Sequence, residues 1–303
     1  MLKTNKSKMN EGGNLEDILK SFETKKNIKI NDEDKKKVIE FMNKYKLNLE
    51  DLEAMILGSK NIVKEAAKID IPEKKFQYLY FSDTHMGNIE FSEKLYLKML
   101  KAIKKYRPDF VVFVGDLVQG MKGIEGNTFE LDKFGLQEQL DYAKNLLSLI
   151  EIPIYAIDGE HDKEFYKKKN NQIIVGYELE KELPNYNYLG QLEGHILVNS
   201  IKIMLFHPTD TPAYTTSYKI QKLIASIRGG EKPNILHVGH YHQAFKTELR
   251  DIVAIMSGTL CGQTLYMKNK KIPAAMGFGI VKVYYENNEI KRLNHVFVPS
   301  YRD

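Results

Sequence analysis

The spacing of hydrophobic residues changes along this chain, and the change predicts two regions of different architecture. Between residues 14 and 75, apolar positions recur at helical spacing in short segments. Asn31 and Asp32 stand where they can cap one helix, and residues 48–57 are predicted to form another. Residues 1–13 are polar and contain glycine, as disordered tails do. We therefore expect a disordered tail followed by a small helical N-terminal region.

After Pro72, short runs rich in Val, Ile, Tyr and Phe alternate with longer amphipathic segments. This alternation is typical of α/β proteins, in which strands and helices follow one another. One helix is marked by core-type residues at helical spacing: Leu136, Leu140, Ala143, Leu147 and Ile150. The pattern predicts an α/β domain that extends from residue 76 to residue 303.

Five of the predicted strands end in residues that are able to bind a metal ion. In chain order these are Asp83 and His85, Asp116, Glu160 with His161 and Asp162, His207, and His240 with His242. Ligands of α/β proteins bind in the crevice beyond the carboxyl ends of the strands, so distant residues can converge there. Carboxylates and imidazoles suit hard to borderline divalent ions. With one central aspartate, such a set can hold two ions about 3.5 to 4 Å apart.

Taken as a set, the motifs Asp-Thr-His, Gly-Asp, Gly-Glu-His-Asp, a lone His and Gly-His-Tyr-His resemble those of the calcineurin-like metallophosphoesterase superfamily, in the same order. The resemblance covers about residues 76–298. It implies an α/β fold with a β-sandwich flanked by helices, in four layers, to which the N-terminal helices are an appendage. It also implies a hydrolase with two divalent metal ions. Mn²⁺ is the expected species, with Fe, Zn and Mg as alternatives.

The resemblance also implies a role for each motif residue. The metal ligands are divided between two ions: Asp83, His85 and His242 for one, His207 and His240 for the other, and Asp116 as the bridge. His161 corresponds to the histidine that protonates the leaving group. Asp162 corresponds to the carboxylate that orients this histidine.

Glu160 departs from the family pattern, which has asparagine as a ligand of the second ion. If Glu160 binds this ion, the ligand carboxylates carry three negative charges instead of two, which favours metal retention and weakens attraction for phosphate. The alternative is that Glu160 turns away as a base or ion-pair partner and leaves the second ion loosely held. We favour coordination, since two nearby cations attract a carboxylate strongly.

Two further resemblances bear on the substrate. The segment IMSGTLCGQTLYMKNKKIP, residues 255–273, is similar to one found near the exonuclease small subunit of D-family DNA polymerase, and DTHMG is like the opening of the double-strand-break repair nuclease. They imply a DNA phosphodiesterase, with 3′ to 5′ exonuclease action as the leading interpretation. Tyr214, Tyr218, Tyr266 and Lys268 are candidates for contact with a strand. Alternatively, the tyrosines pack a helix and the lysine is only solvated.

Other classes of function stay open at this point. The fold and motifs also serve phosphoesterases that act on small nucleotides or phosphoproteins. A catalytically weak accessory subunit of a DNA-processing complex is a third interpretation, and Glu160 is its only support. The N-terminal helices can dock a protein partner. A helix-turn-helix reader of DNA is less favoured, because no helix rich in Arg, Asn or Gln is present.

Composition adds little to this interpretation. The net charge of +5 over 303 residues is smaller than that of a dedicated nucleic-acid module. The sequence has no apolar run of about 18 residues and no signal-peptide pattern, so we expect a cytoplasmic protein without membrane contact. Cys261 is the single cysteine, which excludes an internal disulfide and a cysteine-based zinc cluster.

Overall fold

The computed structural model describes residues 31–45, 64–121, 127–164 and 173–300. The chain divides into two units, residues 1–60 and 61–303. The predicted tail and the helix expected at residues 48–57 lie outside the described residues.

In the first unit, helix α1 is Asp32–Tyr45. Asn31 caps this helix as predicted, because its Oδ1 accepts the backbone N–H of Asp34 at 2.8 Å. The first turn of the helix also contains Asp32 and Glu33, whose negative charges favour a helix N-terminus. The proposed docking role of the N-terminal helices stays a prediction.

The described part of the second unit contains twelve strands in two sheets. The strands are β1 (Ala67–Ile69), β2 (Lys75–Phe81), β3 (Phe110–Val114), β4 (Ile154–Asp158), β5 (Tyr186–Gln191), β6 (Glu193–Val198), β7 (Ile201–Phe206), β8 (Ile235–Val238), β9 (Ala244–Leu249), β10 (Ile252–Ser257), β11 (Gly277–Glu286) and β12 (Glu289–Pro299). The order is β12-β11-β2-β3-β4-β5 in the first sheet and β1-β6-β7-β8-β10-β9 in the second.

Five helices accompany these strands in the described residues. They are α2 (Glu93–Tyr106), α3 (Gly135–Leu147), α4 (Val175–Glu182), α5 (Thr216–Ser226) and α6 (Leu265–Lys270), with short 3₁₀ helices at Asn127–Glu130 and Gly229–Glu231. The predicted apolar stripe lies on α3 and just beyond it, and its residues Ala143, Leu147 and Ile150 are buried. Among the described residues, no helix is long and apolar enough to span a membrane.

Alternation along the strands explains how the layers are held together. In β2, Phe76, Tyr78 and Tyr80 belong to a buried cluster that also contains residues of the second sheet, whereas Leu79 and Phe81 pack with the helices that cover the first sheet. A third cluster joins α5 to the outer face of the second sheet. The layers are therefore helix, sheet, sheet and helix, and the predicted four-layer fold is confirmed.

Strand β1 corrects the expected boundary between the two regions. Residues 14–75 were expected to be helical, but Ala67–Ile69 forms a strand that pairs in parallel with β6. The chain enters the second unit at residue 61. A strand of three residues is too short to display the alternation of hydrophobic and polar residues by which strands are found in a sequence, so the sequence did not predict it.

Parallel pairing brings the predicted ligands to one end of the sheets. Strands β2, β3 and β4 run parallel in the first sheet, and β7, β8 and β10 run parallel in the second. The five strand ends that carry the candidate residues are those of β2, β3, β4, β7 and β8. The carboxyl ends of each parallel set lie together, which places these residues at two adjoining sheet edges.

Candidate metal centre

The side chains predicted to bind metal converge. Asp116, Glu160, His207 and His240 each direct one nitrogen or oxygen atom to within 4.8 Å of the others, and we call them the Glu160 group. Asp83, His85 and His242 form a second set by the same measure, here called the His85 group. A third set joins His85, Asp116 and His161. Eight of the nine motif residues therefore face one region of space, and the ninth, Asp162, is treated separately below.

Asp116 lies between the two groups. Its Oδ2 is 3.2 Å from Nε2 of His207 and 3.8 Å from Nε2 of His85. Both contacts are almost fully buried, with 1% of the Asp116 side chain exposed. This position fits the bridging role that the family resemblance implies.

Backbone carbonyls fix the orientation of the two histidines in the Glu160 group. Nδ1 of His207 donates to the carbonyl oxygen of Val114 at 2.6 Å, and Nε2 of His240 donates to that of Asp210 at 2.7 Å. A carbonyl oxygen can only accept, so these nitrogens carry the protons. In the neutral rings, the other nitrogen of each histidine then presents a lone pair to the centre of the group.

Glu160 occupies the place where those lone pairs point. Its Oε2 is 2.8 Å from Nε2 of His207, and its Oε1 is 2.9 Å from Nδ1 of His240. A carboxylate oxygen and a nitrogen lone pair repel each other at this distance unless a proton or a cation lies between them. The donor set of two carboxylates and two imidazoles therefore fits a divalent cation.

Electrostatics in the Glu160 group show how strongly its carboxylates attract positive charge. Burial disfavours charge on His207, but Asp116 and Glu160 outweigh it and hold the pKa of His207 well above its ordinary value. Burial also acts to raise the pKa of Glu160, yet hydrogen bonds from His207 and His240 bring this pKa well below its ordinary value. The carboxylates thus stay ionised, and their negative charge is available to a cation.

The His85 group is arranged differently. Nε2 of His85 lies 3.0 Å from Nε2 of His242, and the latter is 3.4 Å from Oδ1 of Asp83. Burial, followed by the nearby His161, lowers the pKa of His85 well below its ordinary value, so this ring is neutral. Among the described residues, Nδ1 of His85 and Nδ1 of His242 are buried without a hydrogen-bond partner. A neutral imidazole with a free lone pair is the form that binds metal.

Backbone conformation at the ligands is the feature that sequence reasoning missed. Asp83, His85, Asp116, His240 and His242 all have positive φ, between 49° and 70°. This left-handed region is sparsely populated by residues other than glycine and costs on the order of 1 kcal/mol or more. These conformations follow β2, β3 and β8, whereas Glu160 after β4 and His207 after β7 do not have positive φ.

Limited space requires a glycine directly before three of the candidate ligands. A Cβ atom at Gly115 would lie 2.5 Å from Nδ1 of His207, one at Gly159 would lie 2.1 Å from Oδ1 of Asp116, and one at Gly239 would lie 2.4 Å from a backbone oxygen. All three distances are shorter than van der Waals contact. The recurring glycines in the motifs thus keep space for the ligand side chains and the adjacent backbone.

His161 lies in one set with His85 and Asp116, whereas the contacts of Asp162 differ from those expected. His161 donates from Nδ1 to the carbonyl oxygen of Gln119 at 2.7 Å, which is the contact that orients its ring. The Asp162 carboxylate accepts backbone N–H groups of Leu117, Val118 and Gly159 at 2.8 to 3.0 Å. Asp162 therefore stabilises the loop that carries the Asp116 ligand and does not orient His161.

Burial explains why Asp162 uses these donors. The residue is 1% exposed, and a buried carboxylate must accept several hydrogen bonds to stay charged. Burial, together with the charge of Asp116, raises the pKa of Asp162 to about 7 despite the three N–H donors. Sequence position alone could not separate a side chain that turns back to the backbone from one that contacts the preceding residue.

A cleft with a volume of about 220 Å³ opens onto the two groups. Besides ligand residues it is lined by Gln119, residues 209–212, Thr264, Tyr266, Met267 and Ile272. Of the four predicted substrate contacts, Tyr266 lies in this lining. Tyr214 is fully exposed and Tyr218 is half exposed, and neither belongs to the lining among the described residues. Lys268 lies 3.5 Å from Glu90 and also stays outside the lining.

The sequence analysis did not identify Gln119 and Asp210. Gln119 is 4% exposed although it ends an apolar run, and a buried amide in such a position is a signal that could have been used. Asp210 holds His240 through its backbone, which no side-chain pattern reveals. Its carboxylate accepts a hydrogen bond from Tyr241 at 2.6 Å and pairs with Lys219 at 2.5 Å.

The three histidines outside the motifs belong to none of the ligand sets found among the described residues. His237 is fully buried and lies 2.8 Å from the hydroxyl of Tyr78. His295 makes a similar contact with Tyr80, also at 2.8 Å, and His195 lies 3.0 Å from Glu193.

Comparison with known proteins identifies the family. Residues 76–258 match the calcineurin-like phosphoesterase family, and the chain belongs to it. The matched range contains all the residues of the Glu160 and His85 groups.

Two curated relatives have names that refer to DNA. The chain is 24% identical to the DNA polymerase II small subunit of Archaeoglobus fulgidus, over 79% of this chain and 58% of that protein. It is 26% identical to the DNA double-strand break repair protein Mre11 of Methanococcus maripaludis, over 60% of this chain and 55% of that protein. The chain thus spans little more than half the length of either relative. Among solved structures, an archaeal phosphodiesterase is similar with a TM-score of 0.44 and 15% identity, over 73% of this chain and 99% of that chain.

Proposed function

We propose that this protein hydrolyses phosphodiester bonds in DNA with the help of two divalent metal ions, and that it acts on strand ends as a 3′ to 5′ exonuclease. The observation that carries the proposal is the convergence of carboxylates and oriented imidazoles in the Glu160 and His85 groups. Such a constellation is the one that two-metal phosphoesterases use.

The residues divide between two ions as follows. The His85 group would hold one ion and the Glu160 group the other, with Asp116 shared between them. When bound, the ions supply positive charge that activates water near neutral pH and offsets the charge on the phosphate. The three carboxylates Asp83, Asp116 and Glu160 leave a pair of divalent ions with a single net positive charge. We therefore expect firm metal retention and modest affinity for free phosphate.

His161 is the proposed general acid. Its Nδ1 proton is committed to the Gln119 carbonyl at 2.7 Å, so Nε2 is the nitrogen that can pass a proton to the leaving oxygen. Nε2 lies 3.8 Å from Oε1 of Glu160, and the ring faces the cleft. General-acid catalysis of this type contributes about 10² to 10⁴-fold in rate.

The choice of DNA rests on the relatives and on the rim of the cleft. Both curated relatives are named for DNA synthesis or repair. Tyr266 lines the cleft and is 43% exposed, so its ring is accessible to a base. Mn²⁺ is the proposed ion, because mixed imidazole and carboxylate ligation suits it.

The test uses purified protein and Mn²⁺ with a labelled single strand, a labelled duplex and bis(4-nitrophenyl) phosphate. We expect all three to be hydrolysed, with shortening of the strands from the 3′ end. His161→Ala should slow hydrolysis of DNA by about 10² to 10⁴-fold, and less for the aryl ester, whose leaving group needs little protonation.

Two results would contradict the proposal in different ways. If DNA stays intact while the aryl ester is hydrolysed rapidly, the proposed phosphoesterase activity stands but the proposed nuclease activity is rejected. A small nucleotide would then be favoured as substrate. If neither DNA nor the aryl ester is hydrolysed with any of Mn²⁺, Fe²⁺, Zn²⁺ or Mg²⁺, the enzymatic proposal fails and the accessory-subunit interpretation gains support.

A further inference from the structure

An exposed apolar surface lies beside the cleft. Ile89, Phe129, Leu265 and Tyr266 are 60%, 88%, 50% and 43% exposed. Glu130 joins the segments that carry them, because its carbonyl oxygen accepts the N–H of Ile89 at 2.9 Å and its Oε1 accepts the N–H of Leu265 at 2.6 Å. We call these four exposed side chains the Glu130 patch.

Burial and hydrogen bonds hold the residues beneath the patch in place. Glu130 is 8% exposed and is thus held within the fold. Its carboxylate meets the start of α6, where the Thr264 side chain also accepts the N–H of Met267 at 3.3 Å. Helix α6 places Leu265 on the patch, whereas Tyr266 belongs both to the patch and to the cleft lining. The patch is therefore continuous with the metal centre.

The charges beside the patch are mainly positive. Lys268, Lys270 and Lys271 are exposed on α6 or directly after it. Lys268 lies 3.5 Å from Glu90, whereas Lys270 and Lys271 make no ion pair with any residue that the structure describes. The neighbouring Asp132 is paired with Lys133 at 2.5 Å. Two unneutralised lysines thus border an apolar surface that contains two aromatic rings.

We propose that the Glu130 patch and the α6 lysines bind the single strand of DNA that leads into the metal centre. Aromatic rings beside lysines are the combination that binds single strands without regard to sequence, through base stacking and contact with phosphates. A small nucleotide can be held by the cleft alone, but a strand must leave the cleft across its rim. This inference rests on the proposed hydrolysis of DNA, and it distinguishes a polymer substrate from a small one.

The experiment compares Phe129→Ala, Phe129→Trp and the wild-type protein. We expect Phe129→Ala to lower kcat/KM on a single strand of 20 nucleotides by about tenfold, chiefly through KM. Phe129→Trp should restore it, since a larger ring stacks equally well. Hydrolysis of bis(4-nitrophenyl) phosphate, which does not reach the patch, should be equal in the three proteins. Because the Phe129 side chain is 88% exposed, its truncation leaves the core intact.

A matched control removes exposed apolar area elsewhere. Leu249 is 40% exposed and pairs with Ile252, at the end of the second sheet opposite the metal ligands. Leu249→Ala should leave both substrates unaffected. Lys270→Gln/Lys271→Gln should weaken strand binding and reduce its dependence on salt.

The outcomes separate the two proposals. If the wild-type protein degrades the strand and Phe129→Ala does so with the same kcat/KM, the patch inference is wrong while the nuclease proposal stands. If the wild-type protein leaves DNA intact, fluorescence anisotropy of a labelled strand decides. Binding that is weakened in Phe129→Ala retains the patch inference without the nuclease, and the absence of binding to the wild-type protein rejects the patch inference.

Discussion

The Glu160 group and the His85 group contain the same kinds of side chain but are supported very differently. In the Glu160 group, His207 and His240 each donate a hydrogen bond to a backbone carbonyl, and the Glu160 carboxylate lies 2.8 and 2.9 Å from their other ring nitrogens. In the His85 group, the corresponding nitrogens of His85 and His242 are buried without a partner among the described residues. Contacts of this kind fix the tautomer of a ligand and raise its basicity. We conclude that the Glu160 group is the better prepared of the two for a metal ion.

The first prediction removes the additional charge of the Glu160 group. Glu160→Asn should weaken the binding of one Mn²⁺ ion by about 10- to 100-fold, because a charged ligand is replaced by a neutral one. Inorganic phosphate should inhibit the variant more strongly than the wild type, since the net positive charge of the site rises by one. Isothermal titration with Mn²⁺ and phosphate inhibition constants measure both effects.

Asp83→Asn is the matched variant in the His85 group. It removes one charge in the same way and should weaken the other ion. If Glu160→Asn and Asp83→Asn weakened the same single ion, the division into two groups would be wrong.

The second prediction concerns a histidine outside both groups. Burial lowers the pKa of His237 to about 3, against an unfolded value near 6.5. A depressed histidine pKa means that the unfolded state binds more protons, so stability is lost as the pH falls below about 6.5. Between pH 7 and pH 5 the loss from His237 should be about 2 kcal/mol. Urea unfolding of metal-free protein at the two pH values measures it.

His237→Gln provides the comparison. The ligand histidines titrate in both proteins, so the difference between the two pH dependences isolates His237. The variant is expected to be less stable at pH 7 but to lose about 2 kcal/mol less on acidification. An equal loss in both proteins would show that groups other than His237 cause the sensitivity.

The third and smallest effect tests the support of His240. Tyr241→Phe removes the hydroxyl that donates to Asp210 at 2.6 Å, while the ion pair of Asp210 with Lys219 remains. The Asp210 carbonyl then holds His240 less firmly, and the affinity of the Glu160 group for Mn²⁺ should fall by up to about tenfold. The ion of the His85 group should be unaffected.

Tyr142→Phe serves as the control for this variant. It deletes a tyrosine hydroxyl that donates to Glu93 at 3.0 Å, a contact that involves no candidate ligand. Equal effects of Tyr241→Phe on both ions would indicate a general loosening of the fold rather than a specific support of His240.

The parts of the molecule that the sequence predicted share a physical basis. Strand ends could be located because apolar runs stop where polar ligands begin, and helix α3 because its buried face repeats at helical spacing. The candidate ligands Asp83, Asp116 and His207 stand at such ends, and their assignment to metal ions came from the family resemblance. Hydrophobic burial produces a periodic pattern in the sequence, and the prediction of strands and helices depends on that pattern.

The features that escaped prediction depend on backbone contacts. The buried Asp162 carboxylate accepts hydrogen bonds from three backbone N–H groups. The backbone carbonyl of Gln119 orients His161, and that of Asp210 orients His240. A backbone oxygen belongs to every residue type, so none of these contacts constrains the sequence in a recognisable way. The three-residue strand β1 was missed because it is too short to display a period.

The positive φ angles of five ligand residues have a consequence for how such a chain changes over generations. Glycine, asparagine and aspartate adopt this conformation at low cost, whereas β-branched residues do not. At Asp83 and Asp116, where φ is 50° and 55°, glycine and asparagine fit the backbone as aspartate does, so a replacement that the backbone tolerates also removes a charged side chain. Substitutions at these positions can abolish catalysis while the fold is retained. A fold of this kind can therefore give rise to inactive homologues that keep their binding surfaces.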